Sequence, residues 1–252
     1  MFNYLHQVVR VSGCSSSDTS QKKNPLTNLF SLGLSLLVIS FVIGCNHQSS
    51  SVPIESSVLT VDTVEMVQQG IEKSRQGNYQ SAVDDFNQVL AQNPQDINAY
   101  FNRGFAYSSL GQFEKALADF TTALKLDPEM VQAYVNRGNV YLQLGEDEKA
   151  IADYEKALNI NPNDAFAQNN LGLAHLNSGS PELAKIDFTH AVTIDPMYGE
   201  AYYNRGLAFI DLGETNKAIA DFQKAAEIWD EMGEKMASEA ALAEINALKA
   251  RN

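Results

Sequence analysis

Cysteine is nearly missing from this 252-residue chain: there are two, Cys14 and Cys45. Everything after Cys45 can therefore build no disulfide framework, no cysteine-ligated zinc site and no thiol nucleophile, so packing alone must hold it. Basic residues are scarce, with 18 Lys+Arg against 31 Asp+Glu for a net −13. Residues 1–44 carry Arg10, Lys22, Lys23 and Asp18; taking away those three bases and one acid leaves 15 basic against 30 acidic residues, a net −15. Such a surface repels phosphate backbones, which excludes nucleic acid as a partner, and it disfavours lying flat on anionic lipid. The acid forms no tail; it reads as a solvated outer face or as an attraction for a basic partner. Catalytic signatures are missing too: there is no phosphate-cradling glycine loop and no nucleophile elbow. His175 and His190 lack a third ligand at workable spacing, so no metal site is expected. Asp84 and Asp85 are adjacent, and neighbours on a helix point apart. The expectation is a non-enzyme with no metal or cofactor.

What is present begins with an uncharged stretch, residues 24–54, which contains an apolar run at 29–43 behind Lys22 and Lys23. A positive segment followed by an apolar one and then a small residue is the order of an export signal. The run ends Val42-Ile43-Gly44-Cys45, which resembles the lipobox of bacterial lipoproteins. That resemblance implies acylation of Cys45 and cleavage before it, and two or three acyl chains make a stable anchor. Val42 stands where Leu is more usual, and the preceding residues 1–25 are long for a signal, a cytoplasmic or mis-assigned extension. The competing reading is an uncleaved membrane helix over residues 26–43, at the short end of what spans a bilayer. Either way residues 26–45 tether the chain. The next Lys or Arg after Lys23 is Lys73, so the positive-inside bias keeps the N-terminal side cytoplasmic and exports residues 46–252, to the periplasmic face of a bacterial membrane. Residues 46–62 are Ser-rich, hold Pro53, and read as a linker.

Self-similarity at 34 residues dominates the rest. Gly70, Gly104, Gly138, Gly172 and Gly206 form one column; Gly77, Gly111, Gly145, Gly179 and Gly213 form a second, and the two hold 10 of the 15 glycines. Ala82, Ala116, Ala150, Ala184 and Ala218 follow, then Phe86, Phe120, Tyr154, Phe188 and Phe222, with Pro94, Pro128, Pro162 and Pro196 closing four units. Asp85, Asp119, Asp153, Asp187 and Asp221 add a constant acid. Each unit reads as a helical hairpin. A mid-helix Gly costs about 1 kcal/mol against Ala, tolerable where it admits a close neighbour; the Ala column on the facing helix is expected to meet it. The second Gly suits a left-handed helix end, the aromatic fills the core, and the Pro stops the second helix.

These residues at this spacing resemble the tetratricopeptide repeat (TPR), whose pattern is Trp, Leu, Gly, Tyr, Ala, Phe, Ala, Pro at positions 4, 7, 8, 11, 20, 24, 27 and 32. The units are 63–96, 97–130, 131–164, 165–198 and 199–232. The resemblance implies an all-α, right-handed hairpin solenoid of five repeats. Solenoid ends are atypical: Met66 and Lys73 fill aromatic slots in unit one. In unit five Asp230 replaces Pro, so its second helix is expected to run past Trp229. Residues 233–252 read as a capping helix with an apolar stripe of Met236, Leu242, Ile245 and Leu248, against which Trp229 packs.

The family's binding surface is the concave wall of first helices. The resemblance places there Phe101, Asn102, Phe105, Val135, Asn136, Asn139, Asn169, Asn170, Leu173, Tyr203, Asn204 and Leu207. The Asn column at position 6 either reads an extended peptide backbone or bonds to neighbouring helices. Arg103, Arg137 and Arg205 are expected to pair with acids on the solvent side. Lysines at positions 2 and 5, which grip a terminal carboxylate in chaperone-cofactor TPRs, are absent. The function so implied is a membrane-anchored scaffold for protein or peptide partners, resembling bacterial TPR lipoproteins. The alternative is an assembly factor for a membrane complex, for example photosynthetic or envelope machinery. The partner and the oligomeric state are not legible.

Overall fold

The computed structural model describes residues 61–251; the apolar run, Cys45 and nearly all of the Ser-rich linker lie outside the described residues. The described residues form eleven helices and no strand: α1 (Val61–Arg75), α2 (Tyr79–Gln92), α3 (Ile97–Ser109), α4 (Phe113–Leu126), α5 (Val131–Leu144), α6 (Asp147–Ile160), α7 (Ala165–Asn177), α8 (Pro181–Ile194), α9 (Gly199–Asp211), α10 (Thr215–Met232) and α11 (Lys235–Arg251). Consecutive helices pack as five hairpins, each hairpin stacks on the next, and α11 packs on α10. This is the all-α hairpin solenoid with a terminal cap that the family resemblance implies. No described helix is long and apolar enough to cross a membrane.

Helix ends follow from local chemistry. Asp96 and Asp164 cap α3 and α7, accepting from the Ala99 and Ala167 amides at 2.8 and 2.9 Å. The second glycine column, Gly77, Gly111, Gly145, Gly179 and Gly213, takes positive φ between 71° and 78°. Around each of them the chain closes as at Gly145, where the Glu146 amide donates back to Tyr141 O at 2.9 Å and the Gly145 amide to Leu142 O at 3.1 Å. That paired closure satisfies carbonyls a helix end would leave unbonded.

The mid-helix glycines work differently from the sequence expectation. The Ala column is fully buried, but it is not what fills the space over each glycine. A Cβ on Gly138 would lie 2.8 Å from the Tyr154 ring, and one on Gly172 would lie 2.6 Å from Phe188. The aromatic sixteen residues on therefore occupies the room the missing side chain leaves, and all five of these rings are fully buried. Burying such a ring contributes about 1.5–3 kcal/mol, which outweighs the roughly 1 kcal/mol propensity cost of the glycine.

A polar clasp onto the Asp column closes every hairpin. Arg103, Arg137 and Arg205 each take their own hairpin's Asp119, Asp153 or Asp221 in a two-bond fork of 2.7–2.9 Å. A further guanidinium nitrogen reaches the previous hairpin, at Asn87, Thr121 and Thr189. The arginines are largely buried and not solvent-facing as expected, because the fork geometry draws them over the Asp column. Hydrogen bonding to Asp153 raises the Arg137 pKa further above its ordinary value, against the opposing pull of burial. Units one and four have no arginine at this register; Lys73 reaches Asp85 at 2.6 Å and His175 reaches Asp187 at 2.6 Å from the slot that holds an aromatic elsewhere.

At the C-terminal end α10 continues past Trp229 to Met232, and Gly233 with φ 79° stops it. Trp229 packs with Ala241, Ile245 and Leu248 of α11. The expected stripe needs correcting: Met236 is 75% exposed and Leu242 is also exposed. The buried face is Ser238, Ala241, Ile245 and Leu248, whose spacings keep helical phase where those of Met236 and Leu242 do not.

Candidate functional site

The first helices of successive hairpins touch one another, α1 to α3, α3 to α5, α5 to α7 and α7 to α9, whereas no successive second helices make comparable contact. The stack is therefore pinched on the first-helix side, and those helices form a continuous wall.

On that wall the expected residues divide into two groups. Phe101 leans on Phe120, ring centroids 5.9 Å apart. Phe105 is 40% exposed and meets Tyr79 edge-on at 6.4 Å. Asn102 and Asn136 are half-buried, and each donates through Nδ2 to a carbonyl of its own helix, Asn98 O and Gln132 O, at 2.8 Å. No described residue donates to their Oδ1 atoms.

Farther along, the amides bond to one another. Asn139 Oδ1 accepts from the Tyr154 hydroxyl at 2.6 Å and from Asn170 Nδ2 at 2.9 Å. Asn169 Nδ2 donates to Asn170 Oδ1 at 3.2 Å, and Asn204 Nδ2 donates to Asn169 Oδ1 at 2.9 Å. One polar chain thus joins α6, α5, α7 and α9. Of the position-6 column, Asn170 and Asn204 bond to neighbouring helices, while Asn102 and Asn136 do not.

Three expected wall residues lie below the surface: Val135 is buried, Asn169 is 3% exposed and Asn170 is 7% exposed. Val135 joins an apolar cluster with Tyr154 and Leu171, and the two Asn are covered because their partners sit above them on α5 and α9. Leu173 packs on Phe188 and Ala208. Tyr203 packs at a tilt against Phe222 and Trp229, ring centroids 5.1 and 5.8 Å apart, and with Leu207 it joins the cluster that includes α11. Burial, with Glu244 adding, pushes the Tyr203 hydroxyl up to about 12. Sequence reasoning missed Val64 and Phe166, 54% and 45% exposed. Their signal was an apolar residue at position 2, which is Asn, Gln or Glu in the other units.

Burial raises Asp187 and Glu200 above the ordinary carboxylate range, and Asp187 is bonded by both His175 and Gln168. Among the described residues no group of three His, Cys, Asp or Glu is placed to hold a metal ion.

A stack of clasped hairpins with a polar and aromatic wall is a helical-repeat scaffold for protein–protein interaction. Family models described as the tetratricopeptide repeat match residues 74–111 and 138–179, 97–130 and 199–231, and 167–197; the chain belongs to the tetratricopeptide-repeat family. Among solved structures, MamA is 25% identical over 66% of this chain and 96% of its own, with a TM-score of 0.61. MamA from Desulfovibrio magneticus RS-1 is 23% identical over 68% of this chain and 97% of its own, TM-score 0.63. YrrB, described as a TPR protein with an unusual peptide-binding site, is 22% identical over 72% of this chain and 92% of its own, TM-score 0.59. The last two likenesses establish the fold. No curated protein matches the sequence.

Proposed function

We propose that this protein is a membrane-tethered adaptor that holds partner polypeptides against the wall of first helices. The observation that carries the reading is the pairing of exposed Phe105 with Asn102 and Asn136, whose Oδ1 atoms receive no bond from the described residues. An exposed aromatic beside oriented amide acceptors suits an extended backbone with apolar anchors. The tether rests on the lipobox-like Val42-Ile43-Gly44-Cys45, and the charge order around it supports export of the repeats from the cytoplasm.

Crosslinked capture in the native host tests the wall. Phe105→Ala with Asn136→Ala should lose partners that the wild type recovers, and equal recovery rejects the wall as the site. Partners recovered in a finished complex support an adaptor. Recovery confined to unassembled subunits, with less complex when the protein is missing, supports an assembly factor. Mass spectrometry of the mature N-terminus tests the tether: an acylated Cys45 is expected, and an unmodified Cys45 within an intact N-terminus rejects lipidation.

A further inference from the structure

Charge is sorted within the solenoid. In a chain of net −13, helices α3, α5 and α7 carry no Asp, Glu or Lys. Their only arginines, Arg103 and Arg137, are held in two-bond forks by Asp119 and Asp153. Every carboxylate from residue 97 to residue 194 sits on a second helix or in a turn. Charge returns at both ends of the wall, as Glu65, Glu72, Lys73 and Arg75 on α1 and as Glu200 and Asp211 on α9. The middle of the wall is therefore neutral, bordered by charge and backed by an acidic exterior.

Neutrality selects. A charged side chain laid on this wall loses hydration and finds no opposite charge free to replace it. An uncharged backbone loses less and gains the Oδ1 acceptors of Asn102 and Asn136. Apolar side chains gain Phe105 and, two hairpins on, Phe166. Neighbouring helices lie about 8–10 Å apart, so α3 to α7 spans roughly 20 Å. An extended chain covers that in about six residues.

We propose that α3, α5 and α7 receive an uncharged, extended segment of about six residues with aromatic or aliphatic anchors, contributed by another polypeptide, and that the missing charge on this wall is what selects it. The proposal rests on the adaptor reading above and narrows it to one stretch of wall and one class of partner segment.

Panning a random octapeptide display library against the full-length chain in lipid nanodiscs tests it. The enriched pool should be depleted of Asp, Glu, Lys and Arg over about six consecutive positions. Pool peptides should bind Asn102→Asp plus Asn136→Asp at least about tenfold more weakly, and Lys-bearing versions of them should regain affinity for that variant. Asn102→Ser plus Asn136→Ser, which removes the amide acceptors but adds no charge, should weaken pool peptides without restoring the Lys-bearing versions. Phe105→Lys, at an exposed position, supplies a second charged variant should the first fail to fold. A pool rich in Lys and Arg, or neutral peptides that bind both charged variants undiminished, overturns the proposal and leaves a peptide-binding protein standing. Tighter peptide binding after deletion of residues 46–54 would give the wall to the chain's own segment and also overturn it. Failure to enrich any peptide overturns the adaptor reading and this proposal with it.

Discussion

Arg137 and Asp153 face each other across the α5–α6 hairpin through two parallel hydrogen bonds of 2.7 Å, while the remaining arm of the guanidinium reaches Thr121 on the preceding hairpin. Removing the arginine leaves a mostly buried carboxylate without its counter-charge. Arg137→Ala should destabilise the protein by about 2–4 kcal/mol, read as a lowered denaturation midpoint. Replacing both partners, Arg137→Met with Asp153→Leu, should cost clearly less, because no charge is then stranded.

Gly138→Ala should destabilise by about 1–3 kcal/mol although alanine is the better helix former, because its methyl would press on the Tyr154 ring. On a Tyr154→Leu background, itself destabilised, the same Gly138→Ala change should cost less than in the wild type, a coupling read from a double-mutant cycle in thermal unfolding. At Gly145 a Cβ meets nothing within 4 Å but φ is +72°, so Gly145→Ala should cost about 1–2 kcal/mol through backbone strain, and equally so on the Tyr154→Leu background.

Equivalent asparagines should respond unequally. Asn170→Ala cuts the polar chain between Asn139 and Asn169 and should cost about 1–3 kcal/mol. Asn136→Ala loses only a bond to its own helix and should stay within about 0.5 kcal/mol of wild type. Urea midpoints of the two variants check this, and equal effects would contradict it.

Burial raises the Asp187 carboxyl above its ordinary 3.8, against the lowering influence of His175, His190 and Gln168. Native Asp187 therefore takes up its proton at a higher pH than the unfolded chain does. Its contribution to stability is fully present below the unfolded value and is lost as pH rises through the raised one. Carbon-detected NMR titration should find the native carboxyl above 3.8, and His175→Ala should raise it further by removing a lowering bond.

The fold was legible because its determinants recur. Five copies of a Gly and an aromatic, and four of a Pro, at fixed spacing specify hairpin, core and stop wherever they appear. The contact above each mid-helix glycine was less legible, because both the Ala and the aromatic columns lie on the facing helix and only the crossing geometry chooses the ring. Sequence could not divide the asparagine column either. Asn136 and Asn170 occupy the same register, but Asn170 finds Asn139 across the interface, whereas the residue one hairpin before Asn139, Phe105, offers Asn136 no amide. The substitution of Lys73 and His175 for arginine was visible as two broken aromatic slots, but its meaning appears only with the Asp column alongside.

The polar chain running from Tyr154 through Asn139, Asn170 and Asn169 to Asn204 ties the last three hairpins together, while Arg137 reaching Thr121 joins the third to the second. A repeat array comes apart at its weakest neighbour interface. The last three hairpins and their cap should thus melt as one cooperative block while the first two loosen earlier, so a protease or a pulling force would find its opening near Asp127. Phe105, the most exposed aromatic of the proposed binding wall after Phe166, belongs to the half that yields first.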